Sequence, residues 1–328
     1  MLEFELIERY FRRPARRATL GVGDDCALLT LSPGMQLAVS CDMLVEGRHF
    51  LSTVDPFLLG HKALAVNLSD LAACGAKPLA FTLALALPRA EAKWLEPFAR
   101  GLLGLADEHD CELIGGDTTQ GPLNICITVF GEVPQGQALL RSGARAGDDL
   151  YVSGSVGDAR LALEVFRGTV SVPASVFASA RTRMEQPLPR VALGLALRGI
   201  ANSAIDVSDG LLGDLGHILK QSGVGASVNT DVAAGLIAAK AQYAQVSTAT
   251  DIELAPAQWL EWVLSGGDDY ELLFTAPQSC RASVVAASEA SQTPVTRIGS
   301  IEVERGLRLV DGKGRSVPNT YTSFDHFA

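Results

Sequence analysis

The sequence predicts a mixed α/β protein with two domains, from its length, its hydrophobic content and the alternation of its segments. The chain has 328 residues, more than one ordinary core organises, and 48% of them are hydrophobic, enough to bury two cores. Patterns typical of strands and helices alternate on both sides of a stretch rich in Gly, Gln and Arg at 134–147. We therefore predict a first domain at 1–135 and a second at 136–328.

The first domain contains a helix whose start is explicit in the sequence. Asp55 supplies a side chain that caps the free amides of a helix, and Pro56 has the backbone angle that the first turn requires. The helix is expected to run to about Cys74, where Gly75 ends it. The other predicted elements are a helix at 3–11, a strand at 35–40 followed by a polar segment at 41–50, a strand at 78–87, a helix at 91–109, and strands at 112–114 and 124–133.

The second domain repeats this alternation. A short apolar strand at 204–207 leads through Ser208, Asp209 and Gly210 into a helix that is expected to end near Gln221. The run at 270–275 predicts another strand. The other predicted elements are a strand at 149–153 and helices at 158–166 and 189–198.

Composition excludes several classes of protein. The formal net charge of -10 argues against a nucleic-acid or anionic-membrane partner, although an acidic protein binds phosphates when divalent cations lie between. The six cysteines form no C-x-x-C pair, so we expect buried, reduced thiols rather than a zinc site. The longest apolar run, at 79–88, is far shorter than the roughly 20 residues that span a bilayer. Charges at 3–9 argue against a signal peptide, so we expect a cytoplasmic protein.

Aspartates recur beside glycines and at the ends of predicted strands. Each pair alone is typical of an ordinary turn or helix cap. As a set they are harder to explain in that way, because Asp70 lies within an apolar helix with Asn67 on the same face, while Asp117 and Asp206 follow short apolar strands. The motifs are Gly23-Asp24-Asp25, Ser40-Cys41-Asp42, Asn67-Leu68-Ser69-Asp70, Gly115-Gly116-Asp117-Thr118, Asp206-Val207-Ser208-Asp209-Gly210 and Gly266-Gly267-Asp268-Asp269.

Converging carboxylates require cations. Two carboxylates 4 Å apart repel by about 4 kcal/mol at an effective dielectric of 20. Oxygen-rich sites select Mg²⁺ or Ca²⁺, and paired glycines let a backbone approach a polyphosphate, so the set indicates a nucleotide site. The sequence contains no Walker loop, protein-kinase motif set or hydrolase elbow that would supply a different chemistry.

On these motifs the chain resembles the thiamine-monophosphate kinase family. The elements at 67–70 and 208–210 are shared with aminoimidazole ribonucleotide synthetases and selenophosphate synthetases, whereas those at 47–50 and 266–272 are more specific. The resemblance extends in order from about residue 4 to the ending at 324–327 and implies the two-domain fold of that superfamily, with the active site in the cleft between the domains. It also implies a homodimer formed through first-domain strands, and apolar strands such as 81–87 would otherwise leave an exposed edge.

The resemblance assigns roles by position. It implies several Mg²⁺ ions bound by Asp25, Ser40, Cys41, Asp42, Asp70, Asp117, Asp206 and Asp209. It implies ATP contacts at Gly116, Asp117, Arg141 and Ser208, and contacts to thiamine monophosphate at His49, Asp268 and Tyr321. The family often has Thr at the position of Cys41, so a backbone carbonyl ligand survives the change whereas a hydroxyl ligand does not.

The implied reaction is direct in-line transfer of the γ-phosphoryl group of ATP to the phosphate of thiamine monophosphate. That phosphate is ionised near pH 7, so no covalent catalytic residue or strong base is required, and positioning and charge neutralisation carry the catalysis. The alternatives are a superfamily member with a different acceptor and a non-catalytic nucleotide- or metal-binding regulator. The second is disfavoured because every expected aspartate is present.

Overall fold

The computed structural model describes residues 3–247 and 254–323. The chain divides into two compact units. The first comprises Met1–Leu71 and Ala76–Ala138, and the second Ala72–Gly75 and Leu139–Ala328. The predicted family-like ending at 324–327 lies outside the described residues. Helices and strands mix in both units, which confirms the predicted mixed α/β class.

The first unit is built around a four-stranded sheet. Its elements are α1 (Glu3–Tyr10), β1 (Met35–Val45), α2 (Pro56–Ala73, whose last residues belong to the second unit), β2 (Lys77–Leu87), α3 (Ala92–Glu108), β3 (Glu112–Gln120) and β4 (Asn124–Pro134). The strand order is β1-β4-β2-β3, in which only β2 and β3 run parallel. The interior strand β2 is almost entirely apolar and mostly buried, as its central place requires.

Helices α2 and α3 pack closely through two glycines. A Cβ atom on Gly60 would lie 2.1 Å from the carbonyl oxygen of Phe98, and one on Gly101 would lie 1.9 Å from that of Phe57. Any side chain at either position would force the helices apart. The predicted start of α2 at Pro56 agrees with the structure, and the Asp55 carboxylate accepts a hydrogen bond from the Phe57 amide at 2.8 Å.

Two strands of this sheet are longer than predicted. The polar segment expected at 41–50 is in fact strand as far as Val45, and β3 continues through the Gly115-Gly116-Asp117 motif to Gln120. Both continue because a neighbour pairs with them throughout, β4 with β1 and β2 with β3. The motifs at 40–42 and 115–118 therefore lie within strands.

The second unit has a seven-stranded sheet in the order β11-β10-β7-β9-β5-β8-β6. Its strands are β5 (Asp149–Ser153), β6 (Ser203–Asp206), β7 (Gly225–Asn229), β8 (Leu272–Ala276), β9 (Val295–Glu302), β10 (Gly306–Val310) and β11 (Ser316–Val317). Its helices are α4 (Asp158–Phe166), α5 (Ala174–Glu185), α6 (Val191–Ala196), α7 (Leu211–Ser222), α8 (Thr230–Ala233), α9 (Ala238–Val246), α10 (Pro256–Ser265) and α11 (Arg281–Ala290). One contiguous core includes Leu215 of α7, Trp262 of α10 and Leu273 of β8.

The cysteines depart from the expectation of buried thiols. All six are free, but only Cys111 is fully buried, while Cys26 and Cys41 are exposed. Cys41 is exposed because β1 is an edge strand, and alternate side chains on one of its faces have no cover within the unit. None of the helices within 3–247 and 254–323 is long and apolar enough to cross a membrane.

Candidate active site

One group of predicted site residues forms where α2 packs on β1. The hydroxyl of Ser40 donates to the Asp70 carboxylate at 2.5 Å. The buried Asn67 accepts from the Asp42 amide at 3.0 Å and donates to the Ala63 carbonyl of its own helix at 3.0 Å. The three-residue spacing of Asn67 and Asp70 puts both on one helix face, as predicted. The structure thus brings Ser40, Asp42 and Asp70 together.

Cys41 points to the opposite face of β1 from its neighbours. Its Sγ atom lies 3.5 Å from the Sγ atom of Cys126 on β4. Side chains alternate along a strand, so the thiol faces away from the side on which Ser40 meets Asp70. A contribution of Cys41 to a metal site is therefore limited to its backbone carbonyl.

His49 lies just beyond the end of β1. Its Nδ1 atom accepts a hydrogen bond from the Val45 amide at 3.0 Å. An accepting Nδ1 carries no proton, so the neutral imidazole carries its proton on Nε2, where it is a donor. The hydrogen bond from Val45 fixes the orientation of the ring, and the Nε2 donor is suited to bind an anion.

A pocket of about 750 Å³ forms within the first unit and collects a second group of predicted residues. Asp25, Gly116 and Asp117 line it, together with apolar residues of α1 such as Ile7 and with Arg12. The volume lies within the ordinary range for small-molecule sites. Several carboxylates and one arginine line the pocket, so a polyphosphate requires cations to enter it.

Gly116 has a structural reason to be glycine. Its φ is +145°, and a Cβ atom there would lie 1.9 Å from the carbonyl oxygen of Leu83 on the paired strand β2. Only glycine therefore allows this pairing of β3 with β2, at a residue that also lines the pocket. Asp117 follows it on the exposed part of the strand.

The second unit places Asp206 at the end of β6 and Ser208 and Asp209 in the loop before α7. That loop is held by Asp214, which the sequence reasoning missed. One oxygen of its buried carboxylate, Oδ2, accepts from the amides of Ser208, Asp209 and Gly210 at 3.0, 3.2 and 3.2 Å. Burial and the charge of Asp209 raise the pKa of Asp214 to about 7 although the three amides lower it. Its position in the first turn after a Ser-Asp-Gly loop is the signal that could have identified it.

A second loop, at 266–271, lies against the first. The Asp268 amide donates to the Ser208 carbonyl at 2.7 Å, and the Tyr270 amide donates to the Val207 carbonyl at 2.8 Å. A Cβ atom on Gly267 would lie 2.5 Å from the Ser208 oxygen, so this approach requires glycine. The structure therefore joins a residue predicted to contact ATP with one predicted to contact the acceptor.

Tyr321 and Arg141 lie elsewhere in the second unit. Tyr321 is half-buried against the core, and burial followed by the charge of Glu261 raises the pKa of its phenol. Arg141 is exposed, and its backbone carbonyl accepts from the Ser222 hydroxyl at 3.3 Å. These two assignments stay predictions.

No three His, Cys, Asp or Glu side chains of the described residues form a group that could hold a metal ion by themselves. The predicted ligands fall into smaller groups: Ser40 with Asp42 and Asp70, Asp25 with Asp117 at the pocket, and Asp206 with Asp209. This donor set is all oxygen and suits Mg²⁺, which usually takes one or two carboxylates and completes its shell with water and phosphate oxygens.

Comparisons with known proteins agree with these features. Family models described as AIR synthase related protein, N-terminal domain and C-terminal domain, match residues 23–133 and 145–312. A thiamine-monophosphate kinase of Salmonella typhimurium is 45% identical over 99% of this chain and 98% of its own. The corresponding Bacillus subtilis protein is 33% identical over 94% of each.

Solved structures give the same result. A thiamine-monophosphate kinase from Stenotrophomonas maltophilia has a TM-score of 0.81 and 43% identity over 96% of both chains. A structure described as AaThiL complexed with AMPPCP and TMP has a TM-score of 0.74 and 28% identity over 91% of this chain and 89% of its own. The hydrogenase maturation protein HypE has a TM-score of 0.74 at 21% identity, over 97% of both chains, and shares the fold.

Proposed function

The chain belongs to the thiamine-monophosphate kinase family of AIR synthase related proteins, and we propose that it phosphorylates thiamine monophosphate to thiamine diphosphate with ATP as the donor. The observation that carries this proposal is the hydrogen bond of 2.7 Å between Ser208 and Asp268. It joins the loop expected to bind the nucleotide to the loop expected to bind the acceptor. The relative of known structure with both AMPPCP and TMP bound supports the same pair of ligands.

The transfer is proposed to be direct and in line. An oxygen of the thiamine monophosphate phosphate attacks the γ-phosphorus, the bond to the bridging β–γ oxygen breaks, and ADP leaves. Gly116, Asp117, Arg141 and Ser208 hold ATP, while His49, Asp268 and Tyr321 hold the acceptor. The Nε2 proton of His49 donates to the acceptor phosphate, and Asp268 and the Tyr321 ring attract the cationic thiazolium. Catalysis then consists of alignment of the two substrates and neutralisation of their charge.

The aspartates are proposed to bind several Mg²⁺ ions. Asp25, Asp42, Asp70 and Asp117 in the first unit and Asp206 and Asp209 in the second supply the carboxylates, with Ser40 and the backbone of Cys41 as further oxygen donors. Bound Mg²⁺ supplies the positive charge that lets acidic side chains, ATP and a second phosphate coexist. The contact of Ser40 with Asp70 supports this role because it already orients one carboxylate.

We propose a homodimer formed through the first unit, but through a different strand from the one that the sequence indicated. The strand at 81–87 does not form an edge, because β2 lies between β4 and β3. The two edges are β1 and β3, and on β1 Leu37, Val39 and Met43 are 47%, 54% and 53% exposed on one face. Covering this face with a second copy removes an apolar stripe from water.

The dimer is tested by light scattering coupled to size exclusion. We expect about twice the chain mass of 34.6 kDa for the wild type and a monomer for Val39→Glu with Met43→Glu. A wild-type monomer at micromolar concentration contradicts the proposal. A cytoplasmic location stays a prediction.

The function is tested by incubating the protein with ATP, thiamine monophosphate and Mg²⁺ and separating the thiamine phosphates. Thiamine diphosphate should accumulate with one ADP per product, and EDTA should abolish the reaction. Thiamine as acceptor serves as the control for phosphate specificity. ADP release with no thiamine diphosphate would favour a different acceptor, and nucleotide binding without turnover would favour a regulator.

A further inference from the structure

The loop at 266–271 has an unusual backbone. Gly267, Asp268 and Tyr270 have φ angles of 71°, 62° and 53°, all in the left-handed region. Glycine adopts this region freely, but a bulky residue such as Tyr270 does so only where its surroundings hold it there. Strain of this kind persists at functional sites when neighbouring contacts over-determine it.

Side chains alternate between inward and outward positions along this loop. Asp269 and Glu271 are 2% and 0% exposed, whereas Asp268 and Tyr270 are half-buried. The Glu271 carboxylate meets Arg183 and Arg190, each at 2.6 Å, and accepts from the Ser153 hydroxyl at 2.5 Å. Glu271 therefore fixes the end of the loop that leads into β8.

Asp269 fixes the middle of the loop in a different way. Its Oδ1 atom accepts from the Gly157 amide at 2.9 Å, just before the first residue of α4. Its Oδ2 atom is buried and has no hydrogen-bond partner among the described residues. Gly157 is left-handed at 97°, and a Cβ atom there would lie 3.0 Å from the Trp262 backbone, so the direction of this amide is fixed.

The surroundings favour a neutral carboxyl at Asp269. Burial raises its pKa well above the ordinary value, more than the Gly157 amide and Arg183 lower it, and the charges of Asp158 and Asp268 raise it further. Asp158 is itself committed elsewhere, since its carboxylate accepts from the amides of Ala238 and Ala239 at 3.2 and 2.8 Å. Arg183 is paired with Glu271. A neutral acid can remain buried without a cation of its own.

We propose that Asp269 is a positioning residue for the acceptor: it holds the strained loop against the start of α4 and so fixes the direction of the Asp268 carboxylate. The inference rests on the proposed function, in which Asp268 contacts thiamine monophosphate. The loop that carries Ser208 has its own anchor in Asp214, so the effect of Asp269 falls on the acceptor rather than on ATP.

The experiment compares Asp269→Asn with Asp269→Leu in steady-state kinetics, varying each substrate in turn. Asparagine keeps an oxygen for the Gly157 amide and the neutral shape of the acid, so it should stay within about threefold of the wild type. Leucine keeps the branched shape but replaces both oxygens with methyl groups and so has no acceptor, and it should lower kcat/KM for thiamine monophosphate by roughly 10-fold or more. The KM for ATP should change by less than about twofold in both variants.

The matched control is Asp158→Asn, a buried acid nearby that is anchored to α9 instead of to the loop. It should lower Tm without a selective loss toward the acceptor. The proposal is overturned if folded Asp269→Leu keeps its kcat/KM for thiamine monophosphate, if it weakens both substrates alike, or if asparagine is as damaging as leucine. Should leucine prevent folding, Asp269→Ser, which leaves room for a water, must show the same selective loss.

If the wild type forms no thiamine diphosphate, the proposed function is contradicted. The role of Asp269 as an anchor of the loop is then tested by a second measurement. Amide hydrogen exchange at 266–271 should be slow in the wild type and Asp269→Asn and faster in Asp269→Leu or Asp269→Ser. Unchanged exchange in the last two overturns the inference, whatever the acceptor proves to be.

Discussion

In each unit a buried carboxylate accepts hydrogen bonds from three consecutive backbone amides. In the first unit Glu112 accepts from Arg16, Arg17 and Ala18, in the segment that leads to the loop at 21–25. In the second unit Asp214 accepts from the amides at 208–210. Both side chains are buried, at 6% and 2% exposure, and both hold a segment that carries or precedes predicted metal ligands.

The two carboxylates nevertheless have opposite pKa shifts. Burial alone would raise the pKa of Glu112, but the hydrogen bonds from Ala18, Arg16 and Arg17, together with the positive charge of Arg16, lower it. Asp214 has no cation among the causes of its shift and has the negative charge of Asp209 beside it, so burial prevails and its pKa rises to about 7. Accepting hydrogen bonds from three backbone amides therefore does not by itself determine whether a carboxyl group is ionised.

The loop of the second unit is therefore held at an electrostatic cost that metal binding would relieve. A cation on Asp209 would remove the main charge that disfavours an ionised Asp214. The first unit has no such conflict, because an arginine already accompanies Glu112. The effects of substitutions near Asp209 should therefore depend on the Mg²⁺ concentration more than the effects of substitutions near Glu112.

The largest expected effect is on turnover. Asp209→Asn and Asp70→Asn each remove a proposed Mg²⁺ ligand and should lower kcat at limiting Mg²⁺ by about 100-fold or more. Without metal both variants should fold at least as well as the wild type, since one negative charge is removed. The measurement is kcat against Mg²⁺ concentration, with the exposed Glu304→Gln as the matched control. Near-normal activity in either variant would show that its carboxylate is not a ligand.

Much of the fold could be predicted because its signals are local. The helix at 158–166 and the start of α2 at Pro56 follow from periodicity and capping. The short strands β7 and β10 had no such signal, because each is stabilised by pairing with residues distant in sequence, whereas β11 is a two-residue strand that pairs with the adjacent β10. The extension of β1 to Val45 was missed for the same reason, since only its pairing with β4 makes the polar segment a strand.

The features of the site likewise divide into those that have a local signal in the sequence and those that depend on tertiary packing. Aspartates beside glycines mark the loops, and the spacing of Asn67 and Asp70 places both on one helix face. The anchoring roles of Glu112, Asp214 and Asp269 were missed, because in sequence Glu112 is only the first residue of a predicted strand and the other two resemble ordinary helix and turn acids. Their burial arises from tertiary packing, and only the structure pairs them with the amides that they accept from.

The next effect is on stability in the second unit. Asp214→Leu leaves the amides of Ser208, Asp209 and Gly210 without an acceptor and should lower the free energy of unfolding by about 3 kcal/mol, measured by urea unfolding. Asp214→Asn keeps an acceptor and should be milder. If Asp214→Leu lowers the free energy of unfolding no more than Asp214→Asn does, other contacts hold the loop, and Asp214 does not have the anchoring role that Glu112 has in the first unit.

The pH dependence of the free energy of unfolding provides a second test of the role of Asp214. The folded state keeps a proton on Asp214 up to about pH 7, whereas the unfolded chain loses it near the ordinary carboxyl pKa of 3.8. Metal-free wild type should therefore lose stability as pH rises between these values, by up to about 1.4 kcal/mol per pH unit. Asp214→Asn lacks this loss, so its stability relative to the wild type should improve from pH 5 to pH 7. A constant difference would contradict the raised pKa.

The smallest effect is expected at Glu112, with the opposite sign. Its pKa is lowered on folding, so its ionised form stabilises the first unit above the ordinary carboxyl pKa of 4.5, and this contribution is lost as the pH falls through the lowered pKa. Glu112→Gln keeps one acceptor oxygen but turns an NH₂ group either toward the amide of Arg16 or toward the amides of Arg17 and Ala18. It should cost about 1 to 2 kcal/mol at pH 7 and less near pH 4, by urea unfolding at both values. Mg²⁺ and ATP should not change this difference, whereas they should reduce the pH slope that Asp214 causes. A Glu112→Gln cost that grows as the pH falls would mean that the two carboxylates behave alike and that burial, rather than the neighbouring charge, sets their pKa values.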